Sequence, residues 1–321
     1  MTYYILNLIN KLKKKENSLT TKEIVDLLIY RNIFLYDNEK EVNYRWHNFH
    51  LVSFSFWPFF ASISVLLITI GTVMYLHFYK YGFFVLCFGF YFCFFFFFFC
   101  FFFLFLVLYF WWLDVIDESM KACLHSFRVV KNFRYGMILF IISEVMFFFA
   151  FFWAFFHSSL SPSIWIGGIW PPIGIPIIDP FRVPLLNTLI LVVSGITLTW
   201  SHVCLKYHLV WDVLYGLILT ILLAILFLYW QFIEYSFADF YIFDGIYGST
   251  FYMTTGFHGF HVIIGTIWLI ISFLRMWYFH FYPKNHFGFE ACIWYWHFVD
   301  VVWLLVYLFI YCWGSGKFSN F

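Results

Sequence analysis

An all-α, polytopic membrane protein is the fold class this sequence predicts, and three observations carry it. Apolar residues make up 64% of the 321 and charged residues only 11%, against about a quarter charged in a soluble domain. A soluble core of this length has no room for so much apolar surface. Seven apolar segments follow a polar start, each long enough to cross a bilayer at about 20 residues. Lysine and arginine are also distributed unevenly between the two sets of loops.

Residues 1–46 are polar and form a separate N-terminal extension. The segment Thr20-Thr21-Lys22-Glu23 reads as a capping box, opening a helix to about Asn32 with Ile24, Leu27 and Leu28 on one stripe. Six acids accompany eight bases here, a poor composition for a transit peptide. The extension reads as a docking arm. The predicted spans are 55–77, 81–113, 136–158, 183–205, 212–235, 250–277 and 290–313. The second would reach about 50 Å if wholly helical, so it tilts, projects or breaks. Its Phe94–Phe99 run is low in complexity and reads as lipid-facing filler.

With seven spans, one side receives the extension and the loops 114–135, 206–211 and 278–289, with 15 of the 18 Lys and Arg when Arg275 at the adjoining helix end is included. The other side holds Lys80, Arg182 and Lys317. The positive-inside rule places the N terminus on the cytoplasm-like side, which in a mitochondrion is the matrix, and the C terminus on the opposite face. A net charge of +1 implies no nucleic-acid partner. The seven cysteines include no CxxC pair and read as buried free thiols.

Glu144 is alone in the run Gly136–His157. An ionised carboxylate in hydrocarbon costs roughly 3 kcal/mol on insertion scales. Holding it neutral at pH 7 costs about 4 kcal/mol from an ordinary pKa near 4.3. The costs are similar, so the residue needs a partner, a cavity or a task. Trp111-Trp112 marks a membrane boundary, and Glu118, His125 and the nearby Arg128, Lys131 and Arg134 suit a lipid head group. The Gly- and Pro-rich stretch Ser161–Pro184 reads as an ordered, non-helical cap. His258 and His261 share a helix face at i,i+3, as do His297 and Asp300. They suggest a haem or metal, but spacing shows no close set of three or four ligands. Interhelical hydrogen bonding, with Asp300 paired to a histidine, explains them better. No nucleophile elbow, Walker loop, HExxH or paired catalytic carboxylates are present, so no catalytic residues are expected.

Longer ordered stretches carry a resemblance. They are Arg134-Tyr135-Gly136 through Ser143-Glu144-Val145 to Phe156-His157-Ser158-Ser159, then Trp170-Pro171-Pro172 and Val183 to Thr188. Asp244 to Phe251, Gly256 to Gly265, Phe287 to Glu290 and Trp294 to Trp303 continue it. Together these resemble subunit III of cytochrome c oxidase over about residues 47–316. The resemblance implies seven helices in a two-plus-five arrangement, residues 47–113 apart from 136–316, split by a cleft that holds phospholipids. It implies an accessory, non-redox subunit of the mitochondrial inner membrane, packed on subunit I and other oxidase subunits. Haem a, haem a3 and copper would lie in those partners, with no cofactor or metal bound by this chain. Subunit I would be stabilised, and proton uptake or oxygen access supported.

By the same resemblance Glu144 is the intramembrane carboxyl, Trp111, Trp112, Glu118 and His125 line the cleft, and Arg275 with His280 contacts a head group. Leu113 and Asp117 stand where the family often has Arg, and Leu124 where it often has His, which removes polar groups from the cleft mouth. The extension and the long second span exceed the family pattern and suit lineage-specific partner subunits. A stand-alone ion transporter or channel using Glu144 and Asp300 is the rival reading, although no inverted repeat is evident. A haem-binding electron carrier using His157, His202, His261 or His297 is a third.

Overall fold

A computed structural model describes residues 49–50, 52–77, 91–120, 125–283 and 285–316. The extension with its capping-box helix, the start of span two at 81–90, and Leu124 lie outside the described residues. So do the side chains of the Phe94–Phe99 run. Among the described residues there are seven α-helices, one for each predicted apolar segment. They are α1 (Trp57–Leu76), α2 (Tyr91–Met120), α3 (Phe127–Leu160), α4 (Val183–Lys206), α5 (Val210–Ser236), α6 (Gly245–Trp277) and α7 (Phe287–Val306). A π-helical turn, Tyr307–Trp313, continues α7. Among these residues no strand occurs, only an isolated bridge between Tyr282 and Asn285. Among the described residues, five helices, α3 to α7, are long and apolar enough to cross a membrane, while α1 carries a shorter apolar stretch, Trp57–Gly71. The chain is a multi-pass membrane protein.

Several helices outrun their apolar segments. The loop expected at 114–135 is largely helical, because α2 continues to Met120 and α3 begins at Phe127. Charge ends an apolar window but not a helix: Glu118, Arg128, Lys131 and Arg134 propagate one well in interfacial water. The cap 161–182 contains a 3-10 turn, Ile164–Ile166, and otherwise turns and bends. Trp170 anchors it, its ring 5.5 Å from those of both Phe155 and Tyr247.

The chain divides into two compact units, Tyr44–Asn132 and the part from Phe133 onward. In the first, α1 packs on α2. The Trp57 ring stacks on Phe110, and its indole N–H donates to Asp114 Oδ2 at 2.6 Å. In the second, α4 packs on α5, α5 on α6, α6 on α7 and α7 on α4. Leu198, Val213, Phe227, Val262, Leu269, Trp296 and Val306 fill the space between them. Water cannot compete for polar groups there, so buried donors find partners inside. The Trp296 indole donates to Ser194 Oγ at 2.9 Å, and that of Trp303 to Thr188 Oγ1 at 3.0 Å. Both hydroxyls pass their own hydrogens to carbonyls of α4.

Two glycines permit close approach between helices. A Cβ on Gly216 would stand 2.9 Å from Ser201 Cβ, and one on Gly265 would stand 2.9 Å from Cε3 of Trp296. Cys204, Cys292 and Cys312 are free and buried.

Candidate functional site

Glu144 projects from α3 toward α6. Its Oε2 lies 2.9 Å from His261 Nε2, while His261 Nδ1 lies 2.7 Å from the carbonyl of Phe257 one turn earlier. The carbonyl can only accept, so Nδ1 carries a hydrogen. Nε2 then either accepts from a protonated Glu144 or, as part of an imidazolium, donates to a carboxylate. In both cases the link contains one proton and the pair is neutral overall. That resolves the solvation problem of a lone carboxyl in hydrocarbon, since no net charge is buried. Rings of Phe148, at 5.0 Å, and Tyr295, stacked at 6.3 Å, wall the imidazole. The His261 side chain is 8% exposed and that of Glu144 23%. The arrangement is suited to hold or pass a proton at the Glu144 carboxyl.

The other predicted polar residues do not join this pair in one constellation. His258 Nε2 donates to the carbonyl of Val299 on α7 at 3.2 Å, with its ring against Phe227 and Trp303. His297 Nδ1 lies 3.6 Å from Asp300 Oδ2, an ion-pair spacing rather than a hydrogen bond, and its Nε2 lies 3.3 Å from Thr199 Oγ1. Asp300 Oδ1 has no hydrogen-bond partner among the described residues.

The predicted cleft residues fall in separate units. In the first, Glu118 Oε2 lies 3.9 Å from both His50 Nδ1 and His125 Nε2. Burial, reinforced by the neighbouring His50, pushes the His125 pKa below the ordinary histidine value. Trp112 is exposed and Trp111 half-buried. In the second unit, the Arg275 guanidinium lies 4.3 Å over the Phe281 ring. His280 sits beside the ring of Tyr278.

Two polar groups were missed by sequence reasoning. Glu234, in the last turn of α5, is 6% exposed; Tyr311 donates to its Oε1, as does Gln231 Nε2 at 3.2 Å. Asn187 Nδ2 in turn donates to Gln231 Oε1 at 3.4 Å. A Gln and a Glu three apart in an apolar span were the readable signal. The second group joins His202 of α4, His286, Glu290 of α7 and Arg134 of α3. These residues lie up to 156 positions apart in the chain, so no local pattern announces them.

A sequence profile of the family Cytochrome c oxidase subunit III matches residues 47–315. The chain belongs to the cytochrome c oxidase subunit III family. It is 53% identical over 270 residues to Cytochrome c oxidase subunit 3 of Marchantia polymorpha, covering 84% of this chain and 98% of the relative. Identity to the protein of that name from Chondrus crispus is also 53%, over 84% and 95% of the two chains. For Triticum aestivum it is 50%, over 84% and 97%. The family match contains Glu144, His261, Glu234 and the His202 group, and leaves residues 1–46 outside it.

Proposed function

We propose that this chain is an accessory, non-redox subunit of cytochrome c oxidase in the mitochondrial inner membrane. The observation that carries this reading is 50–53% identity to subunits of that name over nearly their whole length. In this reading electrons pass from cytochrome c to oxygen, with proton pumping, through haem a, haem a3 and copper in partner subunits. This chain packs on subunit I, and its first two helices stand apart from the last five across a cleft that holds phospholipids. The N terminus lies in the matrix and the C terminus in the intermembrane space, which the bias of Lys and Arg supports. Trp111, Trp112, Glu118 and His125 line the cleft, and Arg275 with His280 meets a head group. Glu144 serves proton uptake or oxygen access next to subunit I, supported by its neutral, proton-holding link to His261.

Detergent removal of this chain from purified oxidase tests the role. The stripped enzyme should keep its haem and copper spectra, lose phospholipid, and inactivate within fewer turnovers. Unchanged turnover, lifetime and lipid content would refute it.

A further inference from the structure

We infer that His202, His286 and Glu290 form a binding site for one zinc ion, joining the end of α4 to the start of α7. His202 lies in the last turns of α4, His286 caps α7, and Glu290 is in the first turn of α7. Each offers one ligand atom, and the three atoms lie within 4.8 Å of one another. His202 Nε2 is 3.3 Å from His286 Nε2, and His286 Nε2 is 3.5 Å from Glu290 Oε1. Tetrahedral zinc with bonds of about 2.0–2.2 Å separates its ligands by about 3.4 Å. The spacing on these two edges therefore needs almost no rearrangement.

The outer contacts orient the ligands. His286 Nδ1 donates to the carbonyl of Tyr282 at 3.0 Å, which leaves the Nε2 lone pair facing the site. Arg134 takes only the other oxygen of Glu290, Oε2, through Nε at 3.1 Å and Nη2 at 2.8 Å, and leaves Oε1 free. Two imidazoles and a carboxylate suit zinc, with a fourth position open to water. Without metal, His202 Nε2–H donates to His286. Zinc therefore requires the neutral His202 ring to carry its hydrogen on Nδ1 instead, a change of tautomer with no net release of a proton. Arg134 neutralises Glu290, so the ion meets little net negative charge and binding is reversible. Spacing along the sequence showed no close ligand set because His202 and His286 are 84 residues apart.

The test uses intact purified oxidase, freed of loosely held metal with chelator and titrated with zinc chloride in equilibrium dialysis. The native complex should bind one reversible zinc more than the His202→Gln complex does. In the variant that site should weaken by more than the roughly 10–100-fold typical of losing an outer-shell partner. Equal stoichiometry and affinity in the two complexes would overturn the inference. A second measurement needs no variant: diethylpyrocarbonate labelling of the native complex, read by mass spectrometry. Zinc should protect His202 and His286 several-fold and leave the exposed His208 unchanged. Equal labelling of His202 and His286 with and without zinc would overturn it even if the variant complex fails to assemble.

Discussion

Glu144 and His261 make the sharpest statement at the scale of single residues. Because His261 Nδ1 is engaged with Phe257, a glutamine at 144 still presents an N–H to Nε2. Glu144→Gln should therefore change stability by less than about 1 kcal/mol. Glu144→Leu orphans a buried imidazole nitrogen and should cost about 1–3 kcal/mol. Thermal dissociation of the purified complex compares the two. Both variants should retain haem and copper, and Glu144→Gln, which cannot hold the exchangeable proton, should lower turnover. Loss of metal in Glu144→Gln would contradict the assignment. His125 supplies a pH prediction. Its depressed pKa means the unfolded chain binds more protons below about 6.5, so this stabilisation is whole above that pH and lost as pH falls toward the depressed value. His50 and Glu118 are the groups that face it. The melting temperature of the complex should fall more between pH 7 and pH 5 in the native protein than in His125→Gln, and parallel curves would count against the argument.

Helix pairing depends on a few buried donors and small residues. The indole of Trp303 reaches Thr188 across the α4–α7 contact. Thr188→Val keeps the shape but strands that N–H, with an expected cost of about 1–3 kcal/mol. Gly265→Ala places a methyl against the fully buried ring of Trp296 and should cost about 1–3 kcal/mol through overpacking. Both are measurable as faster heat inactivation of the oxidase, and an unchanged rate in either variant would show that the contact contributes little. The α2 and α3 ends belong to this scale too. Hydropathy located the apolar centres of these helices but stopped short of Met120 and Phe127, because it reports the solvent a segment prefers while the helix is set by backbone hydrogen bonding.

For the whole molecule, residues 1–46 lie outside the family match and are polar where the rest is apolar. Their excess suits contacts with partner subunits particular to this lineage. Deleting residues 1–40 should lower the yield of assembled oxidase on native gels, and normal assembly would refute that role. Composition and segment length alone determined that this is an all-α chain of the membrane, since hydrocarbon accepts only segments that satisfy their own backbone. Ordered motifs alone were enough to place it beside subunit III. The conflict at Glu144 was legible in the sequence because one carboxyl interrupts a long apolar run. Its partner was not, because His261 is 117 residues away and meets it only across the contact of α3 with α6. For the same reason Glu234 with Tyr311, and His202 with His286 and Glu290, became visible only in the fold. Hydrophobicity is a property of each segment and can be read locally. The partner of a polar group depends on which helix faces become neighbours, and only tertiary packing decides that.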